Sequence, residues 1–62
     1  MSLDASALGS ISYTLDDLVR RIGEVADGAT EDDEALGELR EVERQLQTSV
    51  RRLNKVVRRI QQ

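Results

Sequence analysis

The sequence predicts an all-α fold, in which two long helices form an antiparallel hairpin and two hairpins pair as a four-helix bundle. Apolar residues recur at alternating steps of three and four along two segments, as they do along one side of a bundled helix. The 62 residues include no proline and one aromatic residue, Tyr13, a composition that suits helices better than strands. A short acidic segment containing a glycine separates the two periodic segments. Together these features predict one helical-hairpin domain over residues 1–62.

The first helix is predicted at about residues 3–27, with Ser2 as its N-cap. Apolar residues at heptad positions a and d form a stripe along this helix. Position e carries further apolar or small residues, so the stripe is wider than the contact surface of a two-stranded coiled coil. An alternative start lies within Tyr13–Leu18, where Thr14 has the spacing of a cap. The heptad pattern continues unbroken back to Leu8, which favours the earlier start. The residues at heptad positions a and d are Leu8, Ile11, Leu15, Leu18, Ile22 and Val25.

The connection between the helices is predicted at about residues 28–32. Gly28 is expected to end the first helix in the left-handed conformation, which glycine adopts readily. Thr30 is expected to cap the second helix, with Asp33 three residues later as its capping-box partner. Asp32 is an alternative cap.

The second helix is predicted at about residues 33–61. Its cations lie towards its C-terminal end, where they interact favourably with the helix dipole. Glu43 is the one charged residue at an e position. Ser49 is the polar residue at a central d position, expected either as a small side chain at a close helix crossing or as a contact that sets the register. The apolar residues at a and d are Leu39, Val42, Leu46, Leu53, Val56 and Ile60.

A short connection makes the two helices antiparallel neighbours. With the turn near residue 30, the numbers of facing residues sum to roughly 60, so Ile22 is expected to face Leu39. Two helices cannot cover stripes of this width. A chain of this size also buries only about 60% of its unfolded surface. We therefore expect the a and d residues to form the core of a homo-oligomer, most simply a homodimer, with a tetramer as the alternative.

The charges are divided unequally along the chain. Residues 24–43 carry a net charge of −8 and residues 44–62 carry +6, within a total of −3. Each hairpin is therefore acidic at its loop and basic at its open end. Unlike ends meet when two hairpins place their loops at opposite ends, so we expect that orientation.

The composition argues against an enzyme. The chain contains no cysteine and no histidine, which removes disulfides, zinc sites of the Cys/His kind and imidazole catalysis. The acidic residues 31–34 lack the spacing of a calcium loop, and the isolated glycines form no phosphate loop. We expect no catalytic residue, cofactor or metal.

No apolar run approaches the roughly 18 residues of a membrane span, so we expect no membrane contact and a cytoplasmic location.

A cluster of cations is the most distinctive surface feature of the sequence. It can be an ordinary solvated helix end, a contact for an acidic protein, or a contact for nucleic acid. The favoured function is a self-associating interaction, adaptor or regulatory module. In size and hairpin plan the chain resembles the small plasmid-encoded RNA-binding four-helix dimers of the Rop type, which implies the alternative of an RNA-binding regulator that uses the basic C-terminal helix. The cations of the possible partner surface are Arg51, Arg52, Lys55, Arg58 and Arg59.

Overall fold

The computed structural model describes residues 2–31 and 33–61, which form two α-helices. Helix α1 spans Ala5–Asp27 and helix α2 spans Leu36–Gln61. The two helices pack against each other along their lengths as an antiparallel hairpin. The predicted all-α class and the hairpin are therefore confirmed. Neither helix formed by the described residues is long and apolar enough to cross a bilayer.

Helix α1 begins with Asp4 as its N-cap. Asp4 has an extended backbone, and its carboxylate accepts a hydrogen bond from the Ala7 N–H at 3.0 Å. A carboxylate at this position also interacts favourably with the helix dipole. The prediction that Ser2 caps the helix is wrong, because the first helical residue is Ala5 and Ser2 lies two residues before the capping position.

The middle of α1 is continuous helix. The Thr14 hydroxyl donates a hydrogen bond to the Ser10 carbonyl at 3.1 Å, which is the bond that threonine makes inside a helix. Thr14 is therefore an interior residue. The alternative start within Tyr13–Leu18 is wrong, and the helix extends as far back as the heptad pattern indicated.

Helix α1 ends without a left-handed residue. Gly28 has φ −83° and ψ −7°, which is right-handed, so the predicted left-handed cap is wrong. The Gly28 N–H donates to the Glu24 carbonyl at 3.1 Å, and the Ala29 N–H donates to the Ala26 carbonyl at 3.2 Å. These bonds pair two of the last carbonyls of the helix, the second through a tightened 3₁₀-type turn, without a left-handed residue.

Helix α2 begins at Leu36, later than the predicted residue 33, and Asp33 organises the turn before it. The Asp33 carboxylate accepts a hydrogen bond from the Ala35 N–H at 2.9 Å. Its carbonyl accepts from the Leu36 N–H, and its own N–H donates to the Thr30 carbonyl, both at 3.1 Å. This is an Asx turn. The predicted capping box of Thr30 and Asp33 is wrong, because Thr30 lies too far before the helix. Asp32, the alternative cap, lies outside the described residues.

The register of the hairpin is defined by contacts between α1 and α2. These contacts join Gly9 to Val57, Ser12 to Asn54, and Gly23 to Glu43. In each pair the two residue numbers add to 66, where roughly 60 was expected. Ile22 therefore lies level with residue 44 and not with Leu39, so the predicted pairing is wrong. The difference is five residues, or about 7.5 Å along the helix axis at 1.5 Å per residue. The late start of α2 is the reason, since it moves the turn towards the C-terminus.

The seam between α1 and α2 is built mainly from heptad position e. The buried hydrophobic residues are Val19, Ala26, Val50 and Val57, with exposed fractions of 5%, 1%, 6% and 9%. Ser12, also at position e, is buried beside them. The e residues were expected to flank the stripe, and they instead form the centre of the contact within one chain.

The hairpin is a thin rod that measures 49 × 16 × 14 Å. Its radius of gyration is 14.6 Å, against about 10.6 Å for a compact domain of this length. No large side chain of the described residues is fully buried. The rod therefore has a seam and no enclosed core.

Candidate interaction surface

The d positions of both helices lie on one side of the hairpin. Position d precedes position e by one residue, so it points roughly 100° away from the seam. We call the exposed side formed by these positions the d face. Its apolar members are Ile11 (50% exposed), Leu18 (43%), Val25 (66%), Val42 (45%) and Val56 (40%).

The a positions lie between the seam and the d face. All of them within the two helices are half-buried. Every residue that the sequence assigned to the oligomer core is half-buried or exposed in the single chain, and none is fully covered by the hairpin itself. The half-buried residues at position a are Leu8, Leu15, Ile22, Leu39, Leu46, Leu53 and Ile60.

A shallow groove of about 470 Å³ lies on the d face near the loop. Both helices contribute to it: Leu18, Ile22 and Val25 come from α1, and Leu39 comes from α2. Arg21 lines its edge. Because one groove contains residues of both helices, the apolar stripes of α1 and α2 adjoin each other at the loop end of the hairpin.

Ser49 lies at the middle of the α2 part of the d face. It is exposed, and it stands seven residues from both Val42 and Val56. The expected close crossing at Ser49 does not occur inside the hairpin. Any such crossing has to involve a second molecule.

The opposite side of the hairpin is polar. A groove of about 300 Å³ is lined there by residues of both helices. The Ser12 hydroxyl donates a hydrogen bond to the Asn54 side-chain oxygen across the seam. The sequence did not reveal this bond, because the pairing depends on a register that is clear only in three dimensions. The lining residues are Gly9, Ser12, Tyr13, Asp16 and Asn54.

Charged side chains join the two helices at the loop end of the seam. The Glu43 side chain is 19% exposed and packs against Gly23. Arg40 lies 3.7 Å from the Glu43 carboxylate and 3.0 Å from the Asp27 carboxylate, which connects α2 to the end of α1. The sequence marked Glu43 only as the exception among the e positions.

The five cations of the possible partner surface are all exposed. None of them belongs to an ion pair in the part of the chain that the structure describes. Arg52 and Arg59 occupy position g, which borders the d face. The other three, Arg51, Lys55 and Arg58, occupy the outer positions c and f. The cluster therefore includes one edge of the apolar surface and part of the outside of the rod.

Among residues 2–31 and 33–61, no three acidic side chains gather as a group that could hold a metal ion. No protein-family model matches the chain, and neither a curated protein nor a solved structure matches it.

Proposed function

We propose that the chain is a protein-interaction module rather than an enzyme, and that its first partner is a second copy of itself. In this dimer the two d faces bury each other inside a four-helix bundle. The exposed d face is the observation that supports the proposal. Burying a large aliphatic side chain contributes about 1.5–3 kcal/mol, and the d face exposes five such side chains on the two helices.

The surface area of the single chain supports a dimer of this kind. The chain exposes 5231 Å², whereas a compact monomer of 6.9 kDa is expected to expose about 4,000 Å². The excess is about 1,200 Å² for each chain. A stable interface of standard size needs about 800 Å² from each partner. The excess area is therefore sufficient for a dimer without any change in the hairpin.

The angle between the two contact surfaces supports the same assembly. Each helix of a four-helix bundle contacts two neighbours, in directions close to 90° apart. In this hairpin the seam at position e and the d face lie roughly 100° apart on each helix. A second hairpin placed on the d face completes the bundle and leaves the charged positions c and f outside. That charged exterior is the surface that an adaptor or regulatory module offers to another protein.

A second candidate function is RNA binding through the five cations. It is favoured by their exposure and by their lack of ion pairs among the described residues. The net charge of −3 opposes it, because RNA binding depends on neutralising phosphates. Fluorescence anisotropy with a short RNA hairpin tests this function. Tight binding that weakens steeply with salt and disappears in the double variant Arg51→Glu, Arg52→Glu supports it, and no binding at low salt excludes it.

The dimer is tested by mass measurements on two matched variants of α2. Val42→Glu places a carboxylate on the d face, and Gln47→Glu places one on the polar side of the same helix. Light scattering after size-exclusion chromatography is expected to give twice 6.9 kDa for the wild type and for Gln47→Glu. Val42→Glu is expected to give a single chain with less helix by circular dichroism. An unchanged dimer in Val42→Glu contradicts the d face as the interface.

A further inference from the structure

We infer that the two hairpins place their loops at opposite ends. The twofold axis that relates them lies along the d face, perpendicular to the helices, and passes over Leu18 of α1 and Ser49 of α2. This inference rests on the proposed homodimer and specifies its geometry. Helix α2 then lies antiparallel to the partner's α2, and α1 lies antiparallel to the partner's α1. The axis brings each Ser49 next to the partner's Ser49.

The spacing of the d residues supports this axis. On α2, Val42 and Val56 lie seven residues to either side of Ser49. On α1, Ile11 and Val25 lie seven residues to either side of Leu18. Each stripe is therefore symmetric about its own central residue.

The register of the hairpin brings the two centres to the same height. Contacting residues of α1 and α2 have numbers that add to 66, so Leu18 is level with residue 48 and lies beside Ser49. A twofold axis perpendicular to the helices must cross both of them at one height. This condition is met in the observed register, and the register expected from the sequence would not have met it.

The axis matches the apolar residues in pairs. It places Val42 against the partner's Val56 and Ile11 against the partner's Val25. The short side chain of Ser49 leaves room for the two α2 helices to approach each other, at the 8–10 Å typical of packed helices. Every apolar residue of the d face thereby receives an apolar counterpart.

The charges beside the d face favour the same orientation. Glu38 stands eleven residues before Ser49 and Arg59 stands ten after it, both at position g, so Glu38 meets the partner's Arg59. With the loops at the same end, α2 would lie beside the partner's α1 at equal height. Position g at the height of Glu38 is then the partner's Gly28, so Glu38 would have no cation opposite it. Each exposed pair contributes little, but the pair of Glu38 with Arg59 occurs twice in a symmetric dimer and forms only when the loops lie at opposite ends.

Cysteine cross-linking distinguishes the two orientations, because the chain has no cysteine of its own. Ser49→Cys is expected to form a disulfide-linked dimer under mild oxidation, since its two thiols meet at the axis. Gln47→Cys, on the polar side, is the matched control and is expected to stay unlinked. A mixture of Val42→Cys and Val56→Cys is expected to link as a heterodimer. Val42→Cys alone is expected not to link, because its two thiols lie about 21 Å apart along the axis.

The orientation with both loops at the same end would give a different pattern of cross-links. With the loops at the same end, Ser49 lies beside the partner's Leu18, so a mixture of Leu18→Cys and Ser49→Cys links as a heterodimer and Ser49→Cys alone does not. That result, obtained on a chain with the mass of a dimer, overturns the orientation and leaves the dimer in place. A wild-type mass of one chain overturns the proposed function and the orientation with it.

Discussion

The Glu43 carboxylate lies directly against Gly23, in the space that any larger residue would need. A Cβ built on Gly23 would stand 2.6 Å from the nearer carboxylate oxygen. The glycine is not required for its backbone conformation, because no glycine of the described residues has a positive φ. It is required for close approach: the helices meet here through a glycine on α1 and a half-buried carboxylate on α2, which also lies near Arg40.

Gly23→Ala is therefore expected to behave differently with and without Glu43. Alanine in a helix is favoured over glycine by about 0.5–1 kcal/mol. In a Glu43→Ala background the substitution is expected to yield this gain in the free energy of unfolding. In the wild-type background the gain is expected to be smaller or reversed, because the carboxylate has to move. Urea denaturation of the four proteins of the cycle measures the coupling.

Gly9→Ala is the matched control in the same helix. Its new Cβ would lie 4.0 Å from a Val57 methyl group, which is an ordinary contact. The full gain of about 0.5–1 kcal/mol is expected there. Equal effects at Gly9 and Gly23, each independent of Glu43, would show that the close contact has no energetic consequence.

Asp4→Ala is expected to lower the free energy of unfolding by about 1 kcal/mol, the usual effect of losing an N-cap. The loss removes the hydrogen bond to the Ala7 N–H. Ser2→Ala is the control and is expected to change stability by less than about 0.5 kcal/mol, as exposed substitutions usually do. Thermal unfolding followed by circular dichroism measures both, and the reverse ranking would restore Ser2 as the cap.

Asp27→Asn is expected to have a small, salt-dependent effect. Its ion pair with Arg40 joins the two helices, but the side chains are 73% and 48% exposed. Exposed pairs contribute about 0.2–1 kcal/mol, and the Debye length falls to about 3 Å in 1 M salt. The destabilisation is therefore expected at low salt and absent at 1 M. Glu24→Gln, outside the described ion pairs, is expected to show no comparable change.

Opposite charges at Ser49 are expected to restore a dimer that like charges prevent. Ser49→Glu and Ser49→Lys each place two like charges at the proposed axis, so each variant alone is expected to be monomeric. An equimolar mixture is expected to form a heterodimer, detected by native mass spectrometry. A mixture that stays monomeric would show that the two residues do not face each other.

The alternating spacing of the apolar residues was sufficient to predict both helices and their hairpin. Helix formation depends on local periodicity, which the sequence displays directly. The caps were harder to predict, because several polar residues near each end compete for the role. Asp4, and not Ser2, caps α1 because the helix begins at Ala5. Asp33 forms an Asx turn before α2, and Thr30 is no cap because that helix begins only at Leu36.

The register and the choice of seam could not be read from the sequence. Positions a, d and e are all apolar or small, so the periodicity does not say which of them faces the other helix. The predicted register depended on the length of the loop, and the Asx turn at Asp33 lengthened it. The contacts of Gly23 with Glu43 and of Ser12 with Asn54 then fixed the helices about five residues from the predicted alignment.

In the proposed dimer a second copy of the chain covers the d face. Sedimentation equilibrium of the unmodified chain over a dilution series, with helix content followed in parallel, tests it most directly. We expect twice the mass of 6.9 kDa at micromolar concentration, with helix lost in step with dissociation. A single chain of 6.9 kDa that keeps its full helix content at every concentration would contradict it.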